Sequence, residues 1–179
     1  MVGSVLSRAD LKDRAHPRHA ERIASVGVAQ TPVRVRVTDA QGQDLPLGEV
    51  GEVLIQGDSV MAGYWGNPQA TAAAIRNGWL FTGDMGALDE GGYLTLKDRS
   101  KDLIISGGSN IYPREVEEAL LTAAGVAEVA VVGQPDPEWG ENVVAFVVAQ
   151  PGAAPTQEAL DAHCLQRIAR FKRPKRYVF

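Results

Sequence analysis

The chain has 179 residues, 45% of them hydrophobic and 22% charged, with a formal net charge of -4 at pH 7; this allows a buried core in one large or two small domains and gives no global attraction to nucleic acid or a membrane surface. The single cysteine, Cys164, excludes an internal disulfide framework, and without a Cys/His cluster there is no zinc signature. No apolar run approaches the roughly 20 residues of a membrane span and the N-terminus has no apolar signal core, so no transmembrane segment and a reducing, cytoplasmic setting are expected.

Residues 1–26 are polar, with Arg8, Lys12, Arg14, His16, Arg18, His19 and Arg22 among scattered acids, and read as a surface loop or the edge of a larger fold. Strict alternation through Val33-Arg34-Val35-Arg36-Val37 predicts a half-buried strand, followed by turn residues Asp39-Ala40-Gln41-Gly42. A second strand is predicted over Val50 to Gln56, a helix from Ala70 after the Asn67-Pro68 turn, and a hairpin from Gly86 to Lys97 through Asp89-Glu90-Gly91-Gly92. The first half is therefore mostly β.

The pattern changes after the charged link Lys97 to Asp102. Leu103-Ile104-Ile105 is short and apolar, and Pro113 opens a helix whose Glu115, Glu117 and Glu118 suit its N-terminal end. Val116, Ala119, Leu120 and Ala123 form its apolar stripe, and Gly125 is expected to end it. Strands follow over Val126 to Val132 and Val143 to Val148. Thr156 caps a second helix whose buried face is predicted to carry Leu160, Cys164, Ile168 and Phe171. This describes a small α+β domain, with the boundary near Arg99 to Lys101.

Few residues offer chemistry on pattern alone. His16 and His19 are separated by Pro17, His163 and Cys164 are adjacent on a helix, and no Gly-x-Ser-x-Gly elbow occurs, so neither a metal site nor a serine hydrolase is expected. Gly133 to Glu141, with its prolines, glycine and tryptophan, reads as a rigid turn. Arg167, Arg170, Lys172, Arg173, Lys175 and Arg176 crowd the C-terminal end; they are either a solvated face or, at Lys172 and Arg173, phosphate contacts.

Asp84 closes the segment Gly78-Trp79-Leu80-Phe81-Thr82-Gly83-Asp84, and an ionised carboxylate offers two acceptor oxygens, which suits a vicinal pair of ribose hydroxyls. Lys97-Asp98-Arg99-Ser100-Lys101-Asp102 and Ser106-Gly107-Gly108-Ser109-Asn110-Ile111-Tyr112-Pro113-Arg114-Glu115 follow it. In this order and spacing the chain resembles the second half of an AMP-forming acyl-CoA synthetase of the adenylate-forming superfamily, which also contains adenylation domains and luciferases. Gly51 to Gly57 and Met61 to Thr71 resemble a further motif of that family, assigned to scaffold.

The resemblance implies an α+β fold. Residues 1–98 would be the β-rich end of the large N-terminal domain, a distorted barrel subdomain; residues 99–101 the hinge; and residues 102–179 the small mixed α+β C-terminal domain, without its last part. It implies that Asp84 and Arg99 bind the nucleotide, that Lys101 is the pivot, and that Ser106, Gly107 and Gly108 line the CoA pantetheine channel, with no metal ligand. The parent activity would join a small carboxylic acid to CoA through acyl-AMP and pyrophosphate, using ATP and Mg2+. The family's near-terminal Gly-Lys lysine and its Ser/Thr/Gly-rich phosphate loop are not found in this sequence, so no complete catalytic set and no ligase activity are expected of this chain alone. Loading a carrier protein, or a non-catalytic nucleotide- or CoA-binding role, are the alternatives. Dimerisation, as a homo-oligomer, or partner contacts are expected to cover exposed strand edges of the β part.

Overall fold

The computed structural model describes residues 3–179, so the loop expectation for residues 1 and 2 lies outside the described residues. The chain forms an α+β structure of two compact units that divide after Ser100.

The first unit begins with ordered structure where the sequence suggested none. Strand β1 (Ser4–Val5) pairs with β2 (Val28–Ala29), and between them lie helices α1 (Arg8–Lys12) and α2 (His19–Ala24). Helix α1 has a capping box: Ser7 Oγ accepts from the Asp10 amide at 3.1 Å and the Asp10 carboxylate accepts from the Ser7 amide at 3.0 Å. Tyr93 donates to Asp10, Arg22 stacks 4.9 Å from the Tyr93 ring centroid, and Arg18 pairs with Asp89 at 2.7 Å. The segment is therefore clasped onto the hairpin that carries Asp89 and Tyr93.

The main sheet of this unit contains β3 (Arg34–Thr38), β4 (Gly51–Gln56), β5 (Ile75–Arg76), β6 (Trp79–Leu88) and β7 (Leu94–Arg99), with α3 (Pro68–Ala74) between β4 and β5. The order β3-β4-β6 is antiparallel, and β5 and β7 share the other edge of β6, taking its beginning and its end. Among the described residues this sheet is open and does not close into a barrel. Asn67 caps α3 through the Ala70 amide at 2.9 Å. Val37, Val53 and Leu94 are buried at the centre, with Val35, Ile55 and Leu96 packed against them.

A short 3-10 turn, Ser100–Asp102, leads into the second unit. Its sheet holds β8 (Ile104–Ser106), β9 (Ser109–Ile111), β10 (Val126–Asp136), β11 (Gly140–Ala149) and β12 (Arg176–Val178), with β12 parallel to β11 and the remaining pairs antiparallel. Helix α4 (Pro113–Leu121) buries Val116, Ala119 and Leu120 at helical spacing, and α5 (Gln157–Leu165) buries Leu160 and Cys164. These residues meet Ile104, Ile111, Val143 and Ala145 in one core.

Three helix ends differ from expectation, the first being the start of α3, which lies at Pro68 and not at Ala70. Helix α4 stops at Leu121, four residues before Gly125, whose φ of +82° instead turns the chain into β10. Helix α5 is capped by Thr156 as predicted, but ends at Leu165 because the Arg167 and Ile168 amides both turn back to the Cys164 carbonyl and Ala169 is extended. Ile168 still packs on the core, whereas Phe171 falls in a 3-10 turn and is half exposed. His163 ties the helices together, its Nε2 lying 3.0 Å from the Ala119 carbonyl and 2.9 Å from Thr122 Oγ1. Among the described residues, no helix is long and apolar enough to cross a membrane.

Candidate nucleotide site

Asp84 and Arg99 are direct partners across the β6–β7 ladder. Side chains of directly opposed residues share one face of a sheet, and Arg99 Nε sits 3.1 Å from Asp84 Oδ1. Arg99 also donates to the Thr82 carbonyl at 3.2 Å. Both side chains keep contact with solvent, Asp84 at 35% exposure and Arg99 at 55%. Asp84 Oδ2 accepts no hydrogen bond from the described residues. The pair is thus an oriented carboxylate with acceptor capacity left over, beside a fixed guanidinium.

A bulge in β6 aims this carboxylate. On β4 only Val53 lies between Glu52 and Leu54, yet on β6 three residues, Thr82, Gly83 and Asp84, lie between their partners Phe81 and Met85. The extra length is folded by Gly83, whose φ is +72°. A Cβ there would meet nothing closer than 3.7 Å, so the glycine is required by backbone conformation and not by crowding.

Asp84 and Thr82 lie on the rim of two pockets in this unit. One, of about 250 Å³, has Val35, Val53, Leu94 and Leu96 among its walls. The other, of about 340 Å³, has Ile55, Met61, Tyr64, Leu80 and Phe81. Apolar walls with a single carboxylate suit a ligand with one flat apolar part and a hydroxylated part.

In the second unit, Ser106, Gly107 and Gly108 form the tip of the β8–β9 hairpin, with Ser106 opposite Ser109. Both glycines have positive φ, +56° and +75°, as a two-residue primed turn requires. The hairpin is fixed to the β10–β11 turn. The Gly107 amide donates to the Trp139 carbonyl at 2.9 Å, the Ile105 amide donates to Glu141 at 2.7 Å, and a Cβ on Gly107 would stand 2.9 Å from the Trp139 ring. Asp136 in turn accepts from the Glu138 and Trp139 amides at 3.0 and 2.9 Å. The sequence suggested a rigid turn over all of this stretch, but Gly133, Gln134, Pro135, Asp136, Gly140 and Glu141 are paired strand residues and the turn is confined to residues 137–139; Asp136 and Glu141 serve there as acceptors for backbone amides. Lys101 lies exposed in the turn that joins the units.

The basic C-terminal cluster is only partly available to a ligand. Lys172 Nζ donates to both oxygens of Glu115, at 2.8 and 2.7 Å, and Arg173 is ion-paired with Asp161. These two residues, the ones singled out as phosphate contacts, spend their charge inside the fold. Sequence reasoning also missed the capping box of α1 and the supports of Asp84. Ser7-x-x-Asp10 was a readable signal for the first; nothing in the local pattern marks the second, because Glu52 reaches the Gly83 amide and Thr82 reaches the Val53 carbonyl only through sheet pairing.

Residues 2–65 match the AMP-binding enzyme family and residues 115–179 match the AMP-binding enzyme C-terminal domain. The chain is 48% identical over 159 residues to sulfoacetate–CoA ligase of Cupriavidus necator, covering 88% of this chain and 31% of that protein. It is 44% identical over 169 residues to the fatty acid–[acyl-carrier-protein] ligase ScoC of Streptomyces coeruleorubidus, covering 94% and 33%. Among solved structures, o-succinylbenzoate CoA synthetase of Bacillus subtilis, in complex with the acyl-adenylate intermediate OSB-AMP, superposes with a TM-score of 0.84 at 37% identity, covering 90% of this chain and 33% of that one. The chain spans about a third of the length of these relatives.

Proposed function

The chain belongs to the adenylate-forming family of AMP-binding enzymes, and from that premise we propose that it is the ribose-holding and hinge-bearing portion of an acid–thiol ligase. In the reaction, a carboxylate oxygen of the acid attacks the α-phosphorus of ATP, pyrophosphate leaves, and acyl-AMP forms. The sulfur of CoA then attacks the acyl carbon and AMP leaves. The observation that carries this reading is the oriented Asp84–Arg99 pair beside two apolar pockets. The Asp84 carboxylate accepts from the vicinal ribose hydroxyls, which are donors of matching spacing, while Arg99 fixes the carboxylate and adds positive charge near the phosphate.

Lys101 serves as pivot, its backbone torsions and not its ammonium group reorienting the second unit between the two half-reactions. Gly107 and Gly108, with no side chains, let a slender thiol arm pass close to the hairpin backbone. Among the described residues no group of three or more acidic, histidine or cysteine side chains converges, and no step is assigned to Mg2+. Adenylation also needs positioned phosphates and further cationic stabilisation, so the chain by itself should not turn over ATP.

CoA is the acceptor proposed here, and the likeness to a carrier-protein ligase keeps carrier loading as the second reading. The test is direct. The purified chain should bind AMP and release no pyrophosphate from ATP with Mg2+, CoA and a panel of carboxylic acids. Pyrophosphate release above background would overturn the division of labour, and absence of AMP binding would overturn the nucleotide role.

A further inference from the structure

We propose that Thr82 is a positioning residue: its hydroxyl, assisted by the Glu52 carboxylate, pins the β6 bulge and thereby sets where Asp84 points. Thr82 Oγ1 donates to the Val53 carbonyl across the sheet at 2.7 Å and accepts from the Asp84 amide at 3.0 Å. One hydroxyl thus satisfies the Val53 carbonyl at the point where β4 and β6 fall out of register and holds the backbone of Asp84 itself. Glu52 Oε1 accepts from the Gly83 amide at 3.1 Å. The backbone polar groups that the bulge takes out of the ladder are therefore met by two side chains. The Thr82 carbonyl receives Arg99, so the same residue touches both members of the pair.

A valine at this position has the same shape and neither donates nor accepts. It leaves the Val53 carbonyl and the Asp84 amide unpaired and frees the bulge to relax. A serine retains both bonds. The geometric part of this proposal stands on the hydrogen bonds alone; its consequence for ligand binding rests on the reading of Asp84 as the ribose carboxylate.

The experiment uses the 15N-labelled 179-residue chain as wild type, Thr82→Ser, Thr82→Val, Thr82→Ala and Asp84→Asn, measuring amide hydrogen exchange and titrations with AMP and 2′-deoxy-AMP. With Thr82→Val, the Asp84 amide should exchange about fivefold faster or more, the worth of one net hydrogen bond, and the preference for AMP over its 2′-deoxy form should shrink toward unity. Thr82→Ser should preserve both, and Thr82→Ala reports the same bonds if the valine variant does not fold. Wild-type exchange at Asp84 in the valine and alanine variants would overturn the pin. If the pin holds but Asp84→Asn binds AMP as wild type does, or wild type shows no preference between the nucleotides, the ribose reading fails and the positioning does not. If Asp84→Asn weakens AMP binding while Thr82→Val leaves the preference unchanged, the proposed effect on binding is wrong.

Discussion

Lys172 and Glu115, 57 positions apart, meet in a two-point ion pair that ties the last basic segment to the first turn of α4. Lys172 is 20% exposed and Glu115 39%, so the pair is shielded more than an ordinary surface bridge. Lys172→Met should lower the stability of the second unit by about 1 kcal/mol, and the reversed pair Glu115→Lys with Lys172→Glu should recover part of it. Denaturant midpoints of the single and double variants check this. For the same reason, a charge reversal at Lys172 alone reports on folding before it reports on any phosphate contact.

The two glycines of the β8–β9 turn should respond differently. Gly108 has open space around it, so Gly108→Ala costs only the left-handed backbone penalty of about 1 to 2 kcal/mol. Gly107→Ala adds a collision with the Trp139 ring. It should be the more destabilising of the two in thermal unfolding, and it alone should shift tryptophan emission.

The α4–α5 core should dominate the stability of the second unit. Leu120 is fully buried, so Leu120→Ala should cost about 2 to 5 kcal/mol. Phe146, on the same unit but 46% exposed, should lose under about 1 kcal/mol on truncation to alanine. Equal losses in urea titrations would place the core elsewhere.

The N-terminal clasp should open in acid. Hydrogen bonds from Ser7 and then Tyr93 hold the Asp10 carboxyl at about 2, below its ordinary 3.8. Because the folded value is depressed, the contribution is complete above the ordinary value and is lost as pH falls through about 2. Protection of the Val26 amide, which donates to the Leu94 carbonyl at 2.8 Å, should fall over that window. Asp10→Asn should remove the pH dependence.

The β10 edge appears in the structure as a guarded one. Glu117, on α4, accepts from the Val131 amide at 2.9 Å, and Pro135 has no amide to offer. Glu117→Ala should expose that donor and raise the tendency to self-associate, measured by sedimentation velocity. An unchanged monomer fraction at rising concentration would deny the guard.

Where the sequence carried a strong period, the elements came through: the alternation at Val33 to Val37, the stripe at Val116, Ala119 and Leu120, and the Thr156 cap. Where structure depends on partners distant in the chain, it did not. Residues 4–29 look irregular because their order comes from Tyr93, Asp89 and Leu94 on another hairpin. Lys172 looked free because its partner Glu115 lies 57 positions away in sequence, whereas Asp161, twelve residues before Arg173, was the one acid near the cluster. At the candidate site, Asp84 and Arg99 were singled out by their motifs and the structure sets them opposite one another, whereas the bulge that Thr82 and Glu52 hold needed the register of β4 against β6.

The most direct test of the account is the affinity of the chain for AMP against 2′-deoxy-AMP, measured for wild type and Asp84→Asn by calorimetric titration. A carboxylate bonded to the ribose hydroxyls should favour AMP by about tenfold, and Asp84→Asn should erase most of that preference. Equal affinity for the two nucleotides in the wild-type chain, or a preference that survives Asp84→Asn, would contradict the assignment of Asp84 to the ribose.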